Sequence, residues 1–287
     1  MKTTSLDLST QNDLQWLSSL IAAVRVAAAG IPFLVTGATA RDLLLWHSNG
    51  IHTGRATQDV DIAFSVAGWE DFSALKARLI ASGAFSEVVG IIQRVRFRGG
   101  VDVDLLPFGG VEDKDRSITW PPQGDSVMNM FAFKEVLTHA VQVILPGAEL
   151  VLVPSLAGLG LLKLVAWTDR RLRAPGKDAP DFALILRYYL PAGNEERLYE
   201  EGAHLLAEEQ FDYETAGAWL LGHDMARLLS RTGQVWLMAL LNQEADADGR
   251  LRLVGDMRME PQKNLDLVQA LARGVREVVE RPAAGIS

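Results

Sequence analysis

The chain has 287 residues, room for one large domain or two ordinary ones at roughly 100–200 residues each. Hydrophobic residues make up 48% and charged residues 22%, close to the average of folded soluble proteins, which excludes disordered and collagen-like classes. The 36 acidic against 28 basic residues give a formal charge of −8, which argues against indiscriminate nucleic-acid binding, and the lack of cysteine removes disulfide frameworks, thiolate zinc sites and cysteine nucleophiles. The start MKTTSLDLSTQNDLQ lacks the long apolar run of a secretory signal. The most apolar stretch, Leu150 to Leu162, is interrupted by Pro154 and falls short of the ~20 residues of a membrane helix, so a cytoplasmic protein with no membrane partner is expected.

In chain order, Asp13 to Ala29 places Leu14, Leu17, Ile21 and Val24 on one helical face, and Gly30 ends it. Ile31 to Thr36 is a short β-branched and aromatic run that reads as a buried strand; Gly37 closes it before a helical pattern over Ala40 to Trp46. A polar connection, His47 to Gln58, leads to an apolar strand over Asp59 to Val66 and a helix over Trp69 to Ser82. Strands over Ile91 to Arg98 and Val101 to Leu106 flank Gly99-Gly100, a pair suited to a tight hairpin. Pro121-Pro122 marks a surface loop around Thr119 to Gln123. From Leu156 onward helical periods dominate: Leu156 to Arg173, Asp181 to Tyr189, Glu195 to Glu209, Ala216 to Ser230, Val235 to Asn242 and Leu265 to Val279. The pattern predicts an α+β protein, a mixed-sheet α/β domain over 1–150 and an all-α domain over 151–287, with the boundary near Pro146 to Pro154.

Asp59-Val60-Asp61 and Asp102-Val103-Asp104 set carboxylates into apolar strands, each pair on one face by alternation. Burying such charge is costly unless it is paired or holds a metal, and hard oxygen ligands suit Mg²⁺ or Mn²⁺. Three carboxylates so arranged can hold two cations ~3.5–4 Å apart, as phosphoryl transfer requires, whereas the plainer reading is a salt-bridged strand end. Thr36-Gly37-Ala38-Thr39-Ala40-Arg41-Asp42 joins a strand to a helix; its glycine permits close backbone approach to a phosphate, and it can equally be a simple turn and N-cap. It lacks the G-K-[ST] ending of a P-loop and the full G-x-G-x-x-G of a dinucleotide site.

Together these elements resemble the nucleotidyltransferase superfold: a strand, a Gly-small-Thr turn, a helix with Arg41, then Arg55-x-Thr57-x-Asp59-Val60-Asp61 and a later strand with Asp104. Leu162-Lys163-Leu164, the basic stretch after it and Lys177-Asp178-Ala179-Pro180-Asp181 are similar to the AbiEii-type toxin nucleotidyltransferases, a resemblance running from about Phe33 to Tyr189. The resemblance implies a Mg²⁺- (or Mn²⁺-) dependent enzyme with Asp59, Asp61 and Asp104 as metal-binding and catalytic carboxylates. It gives Gly37, Ala38, Thr39, Arg41, Thr57 and Lys163 to the nucleotide, and makes Lys163 with Asp181 or Asp178 the late catalytic motif. It further implies an NTP substrate, an antitoxin partner and an acceptor that could be tRNA, protein or a small molecule. Asp102 competes with Asp104 for the third position. Ala38-Thr39 where many members have Gly-Ser, and Leu162 where the toxins often have Glu, are departures that bear on toxicity more than on catalysis. A catalytically silent nucleotide-binding module and a metal-dependent phosphohydrolase are the alternatives.

Arg94, Arg96 and Arg98 alternate along one strand face, which reads as a solvated face or a nucleic-acid contact. Lys163 sits among apolar helix positions, where an anionic partner explains a lysine better than open solvent. Arg170, Arg171 and Arg173 follow it and could lie near a triphosphate. The five histidines show no metal spacing and read as structural.

Overall fold

The computed structural model describes residues 5–54, 59–121, 124, 127–174, 176–258 and 260–280. The chain divides into two compact units, Met1–Ser155 and Leu156–Ser287.

The first unit begins with β1 (Ser5–Asp7) and α1 (Gln15–Ala28), whose Leu17, Ile21 and Val24 are wholly buried, as the 3–4 spacing predicts. Then come β2 (Phe33–Thr36), α2 (Gly37–Asp42), β3 (Asp59–Val66) and α3 (Trp69–Ala81). Leu43–His47 continues α2 as a π-helical turn. Four strands follow, β4 (Phe85–Glu87), β5 (Arg94–Phe97), β6 (Val101–Gly109) and β7 (Ser117–Thr119). The unit closes with β8 (Val127–Asn129), α4 (Phe133–Thr138), β9 (Val141–Leu145) and β10 (Glu149–Val153). Its main sheet has the order β2-β3-β6-β5-β4. β3 and β6 run parallel and the other neighbours antiparallel, so the sheet is mixed.

Alternation along β3 and β6 sorts the side chains. Val60, Ile62 and Phe64 on β3, with Val103 and Leu105 on β6, are at most 1% exposed, while Asp59, Asp61, Asp102 and Asp104 share the other face. Burial of each such aliphatic side chain contributes roughly 1.5–3 kcal/mol. The apolar face therefore fixes which way the carboxylates point.

β1, β9 and β10 form a separate three-stranded sheet, and β7 pairs with β8. Neither was signalled by periodicity, because each strand is only 3–5 residues long and β1 pairs with β9 across most of the unit's length. Pro146–Ala148, where the sequence suggests a boundary, is the turn between β9 and β10, and the division falls after Ser155. Pro122 and Gln123 of the expected surface loop lie outside the described residues.

The second unit holds α5 (Leu156–Arg170), α6 (Ala179–Tyr188), α7 (Glu195–Glu201), α8 (Tyr213–Leu228) and α9 (Arg231–Glu244). A short α10 (Arg252–Asp256) and the long α11 (Pro261–Glu280) complete it. Among its described residues there is no strand. The tightest helix contact is between α8 and α11. A Cβ on Gly222 would lie 2.2 Å from the Leu271 carbonyl oxygen, and one on Gly274 would lie 2.0 Å from that of Trp219, so two backbones meet where only glycine fits. No described helix is long and apolar enough to cross a membrane.

Candidate functional site

Strand pairing assembles the carboxylates into two rows across the sheet. Asp61 on β3 is the register partner of Asp104 on β6, and Asp104 is the partner of Arg94 on β5. One step along, Asp59 pairs with Asp102, and Asp102 with Arg96. Four aspartates from two strands thus lie on one face. The resemblance's choice of Asp59, Asp61 and Asp104 and the alternative Asp102 are all brought together.

Gly37 explains its own identity. Its φ is +66°, a left-handed conformation, and a Cβ there would stand 1.9 Å from Asp61 Oδ2 and 2.9 Å from its Cγ. The glycine is what lets the strand-to-helix turn lie against the carboxylate. Thr36 is the register partner of Asp61, and Thr39, almost fully buried, points its hydroxyl toward the Asp59 carbonyl oxygen at 3.5 Å. Arg41 is 1% exposed and donates from Nε and Nη2 to Asp42 Oδ1 at 2.9 and 2.8 Å, while Thr53 donates to the same oxygen at 3.1 Å. Arg41 and Thr53 thereby converge on Asp42 at the end of α2. Thr57 and Arg55 lie outside the described residues.

Periodicity gave the face of the β5 arginines but not their partners. Arg94 forks onto Asp104, Nε to Oδ1 and Nη2 to Oδ2 both at 2.7 Å, and reaches Asp102 at 3.3 Å and Asp59 at 3.8 Å. Arg96 donates to Asp102 at 2.7 Å. Both arginines are thus counter-charges of the aspartate rows, Arg94 half-buried and Arg96 on the solvated face that alternation predicts. Arg98 does not continue the row, because its φ of +46° takes it out of the strand into the turn at Gly99-Gly100. The hydrogen bond to Asp104 raises the Arg94 pKa still further, so it is charged at every working pH; the Arg96 guanidinium holds the Asp102 carboxyl below its ordinary range. A signal existed in the sequence. A three-residue turn over Arg98, Gly99 and Gly100, one longer than the tight Gly99-Gly100 hairpin, sets 96 opposite 102 and 94 opposite 104 and so matches two cations to two anions. Beside the rows, an open cleft of about 490 Å³ is lined by Trp16, Asp59, Arg96, Gly99, Gly100 and Asp102 among others.

In the helical unit, Lys163 on α5 is 7% exposed and pairs with Asp181 at 2.8 Å and Asp178 at 3.6 Å. Both aspartates are nearly inaccessible, and Arg170 forks onto Asp178 at 2.7 and 2.8 Å. The anion that the sequence demanded for Lys163 is supplied by the chain itself, from the first turn of α6 and its N-cap. Arg171 lies 3.7 Å from Asp256 and over the Trp167 ring.

A second polar cluster joins Glu201, His223 and Asp224, whose ligand atoms lie within 4.8 Å of one another, a spacing that suits a metal. Its charge is already balanced: Arg197 forks onto Asp224 at 2.7 and 2.8 Å and bonds Glu201 at 2.8 Å, Arg227 reaches Glu201 at 3.1 Å, and Tyr189 donates to Asp224. Burial, then the Asp224 charge, pushes the Tyr189 hydroxyl well above its usual range. Burial alone would raise Glu201, but Arg197 and Arg227 outweigh it and hold this carboxyl low.

The chain matches the family model described as nucleotidyl transferase AbiEii toxin, type IV TA system, over residues 20–278. No curated protein matches it. Among solved structures, the antibiotic-resistance factor ANT(2'')-Ia is similar at 14% identity with a TM-score of 0.34, covering 67% of this chain and 98% of that one. With a family match running from α1 to α11, the chain belongs to the AbiEii nucleotidyl transferase toxins and is a nucleotidyltransferase.

Proposed function

We propose that the enzyme moves a nucleoside monophosphate from an NTP to a hydroxyl acceptor and releases pyrophosphate, using Mg²⁺ or Mn²⁺ held by Asp59 and Asp61 beside Asp104. The observation that carries this reading is the carboxylate row pressed against the Gly37 turn. The donor set fits such a cation: hard carboxylate oxygens on adjacent strands, on the polar face of a sheet whose other face is a packed core. The cation supplies neutralisation of the triphosphate charge.

The chain's own residues do the rest. The turn over Gly37, Ala38 and Thr39 takes the phosphates, with Arg41 and Thr57 as further contacts to the nucleotide. The acceptor oxygen forms a bond to the α-phosphorus, the bond to the β-phosphate bridging oxygen breaks, and the acceptor proton passes to a carboxylate of the site or to water. Catalysis is chiefly positioning and charge compensation. Lys163 with Asp181 and Asp178 is proposed as the late motif that this transfer needs. The family implies an NTP substrate and an antitoxin partner; tRNA, protein and small-molecule hydroxyls are the acceptor classes to test.

Incubation with Mg²⁺ and α-labelled or γ-labelled NTP is the deciding experiment. Label from the α-phosphate retained on an acceptor, with γ-label released as pyrophosphate, supports the reading. Free orthophosphate as the sole product points to hydrolysis instead.

A further inference from the structure

We propose that Arg94 is a resident cation of the active site: it keeps Asp104 to itself, so that before nucleotide arrives only the Asp59–Asp61 pair takes a divalent ion. This rests on the reading of the site given above and concerns a residue to which neither the family match nor that reading assigns a role.

The geometry carries it. The Arg94 fork uses both Asp104 oxygens at 2.7 Å, the arrangement in which guanidinium and carboxylate match best. The pairing is built into the sheet, because Arg94 and Asp104 are direct register partners on adjacent strands. The same guanidinium lies 3.3 Å from Asp102 and 3.8 Å from Asp59, and so faces three of the four carboxylates. Arg96 supplies a second positive charge on Asp102. Asp61 lies on the far side of β6 from Arg94, against the Gly37 turn. A second divalent ion at Asp104 would meet a fixed, permanently charged neighbour, and repulsion between such charges at close range is large even at the effective dielectric of a protein surface. It is therefore expected to arrive with the triphosphate, whose own charge offsets Arg94. Arg94 is in this sense a positioning residue: it aims Asp104 and sets how many ions the site accepts before nucleotide binds.

The test is Mn²⁺ binding alone, by calorimetry and by the loss of the free-ion paramagnetic resonance signal, on the full chain without nucleotide. Wild type should bind one Mn²⁺. Arg94→Ala should bind Mn²⁺ at least ~tenfold more tightly or take up a second ion, and Arg94→Lys should return most of the way to wild type. Since Arg94→Ala leaves the site with one more uncompensated charge and could fail to fold, Arg94→Ala/Asp104→Asn keeps the formal balance unchanged. That double variant should bind one Mn²⁺ with wild-type affinity, because Asp104 is not a ligand of the first ion. Two Mn²⁺ on wild type, equal affinity for wild type and Arg94→Ala, or loss of affinity in the double variant would each overturn the proposal. Asp59→Asn/Asp61→Asn separates this inference from the reading beneath it. If that variant loses Mn²⁺ while Arg94→Ala changes nothing, only the role of Arg94 falls. If it binds Mn²⁺ as wild type does, the site assignment falls with it.

Discussion

Replacing Gly37 by alanine sets two costs on the enzyme that can be separated. The first is backbone strain, since a φ of +66° costs an L-residue roughly 1–2 kcal/mol. The second is collision: the new Cβ would stand 1.9 Å from Asp61 Oδ2, and relief to ordinary contact moves that oxygen by more than about 1 Å. A displacement of about 1 Å at a reacting centre is worth on the order of a hundredfold in rate. Gly50 supplies the control, with a φ of +68° and nothing within 4 Å of its would-be Cβ. Gly50→Ala and Gly37→Ala should lose comparable stability, about 1–2 kcal/mol in urea unfolding, from the shared backbone term. Only Gly37→Ala should lose about a hundredfold in single-turnover transfer from α-labelled NTP at saturating Mg²⁺. Equal rates for the two variants, or a Gly37→Ala enzyme within a few-fold of wild type, would refute the claim that this glycine exists to admit the Asp61 carboxylate.

Asp59→Asn/Asp61→Asn should abolish transfer yet leave thermal stability in EDTA unchanged or higher, because like charges on one strand face no longer repel; unfolding of the variant would make them structural. Lys163→Ala should destabilise by about 3–5 kcal/mol, as it breaks a buried ion pair, while Lys163→Met/Asp181→Asn should recover much of that loss, both read from urea midpoints. Gly274→Ala should cost about 3 kcal/mol or more, since its Cβ meets backbone at 2.0 Å and not a side chain that could swing away; a loss under 1 kcal/mol would mean the α8–α11 contact adjusts freely. Two groups near Asp224 fix the expected pH response. Tyr189 has a raised folded pKa, so its contribution is complete below pH ~10 and fades above it, and Tyr189→Phe should flatten that alkaline loss in thermal melts. Glu201 has a lowered folded pKa, so its contribution is present above its unfolded value and fades in acid, a loss that Glu201→Gln should reduce.

The parts of the site legible in the sequence were those governed by near neighbours. Alternation alone put Asp59 with Asp61 and Asp102 with Asp104, because an apolar residue between two carboxylates on a strand leaves one arrangement. Lys163 was legible as a lysine in need of an anion, and the structure answers with Asp181. What escaped was pairing between strands. Arg94 and Arg96 looked like an exposed row until β5 was set beside β6, and the three-stranded sheet depends on a contact between Ser5–Asp7 and residues 142–144 that no local pattern announces. The Glu201–His223–Asp224 group was unreadable for the same reason, since Glu201 comes from α7 and His223-Asp224 from α8, with arginines of both helices neutralising it.

The rows of opposite charge that cross β3, β6 and β5 also act as a gauge of correct assembly. A strand side-chain pattern repeats every two residues, so a slip of one residue between neighbours would turn the charged set of a strand toward Val60, Ile62, Val103 and Leu105. Each ion forced into that layer without its partner costs several kcal/mol, which is a large share of the stability of any domain. Misaligned sheets are thus heavily penalised before any substrate is met. The same aspartates and arginines that are proposed to serve the chemistry therefore police folding. Neutralising all of them at once should yield a chain that still collapses but populates more than one strand alignment.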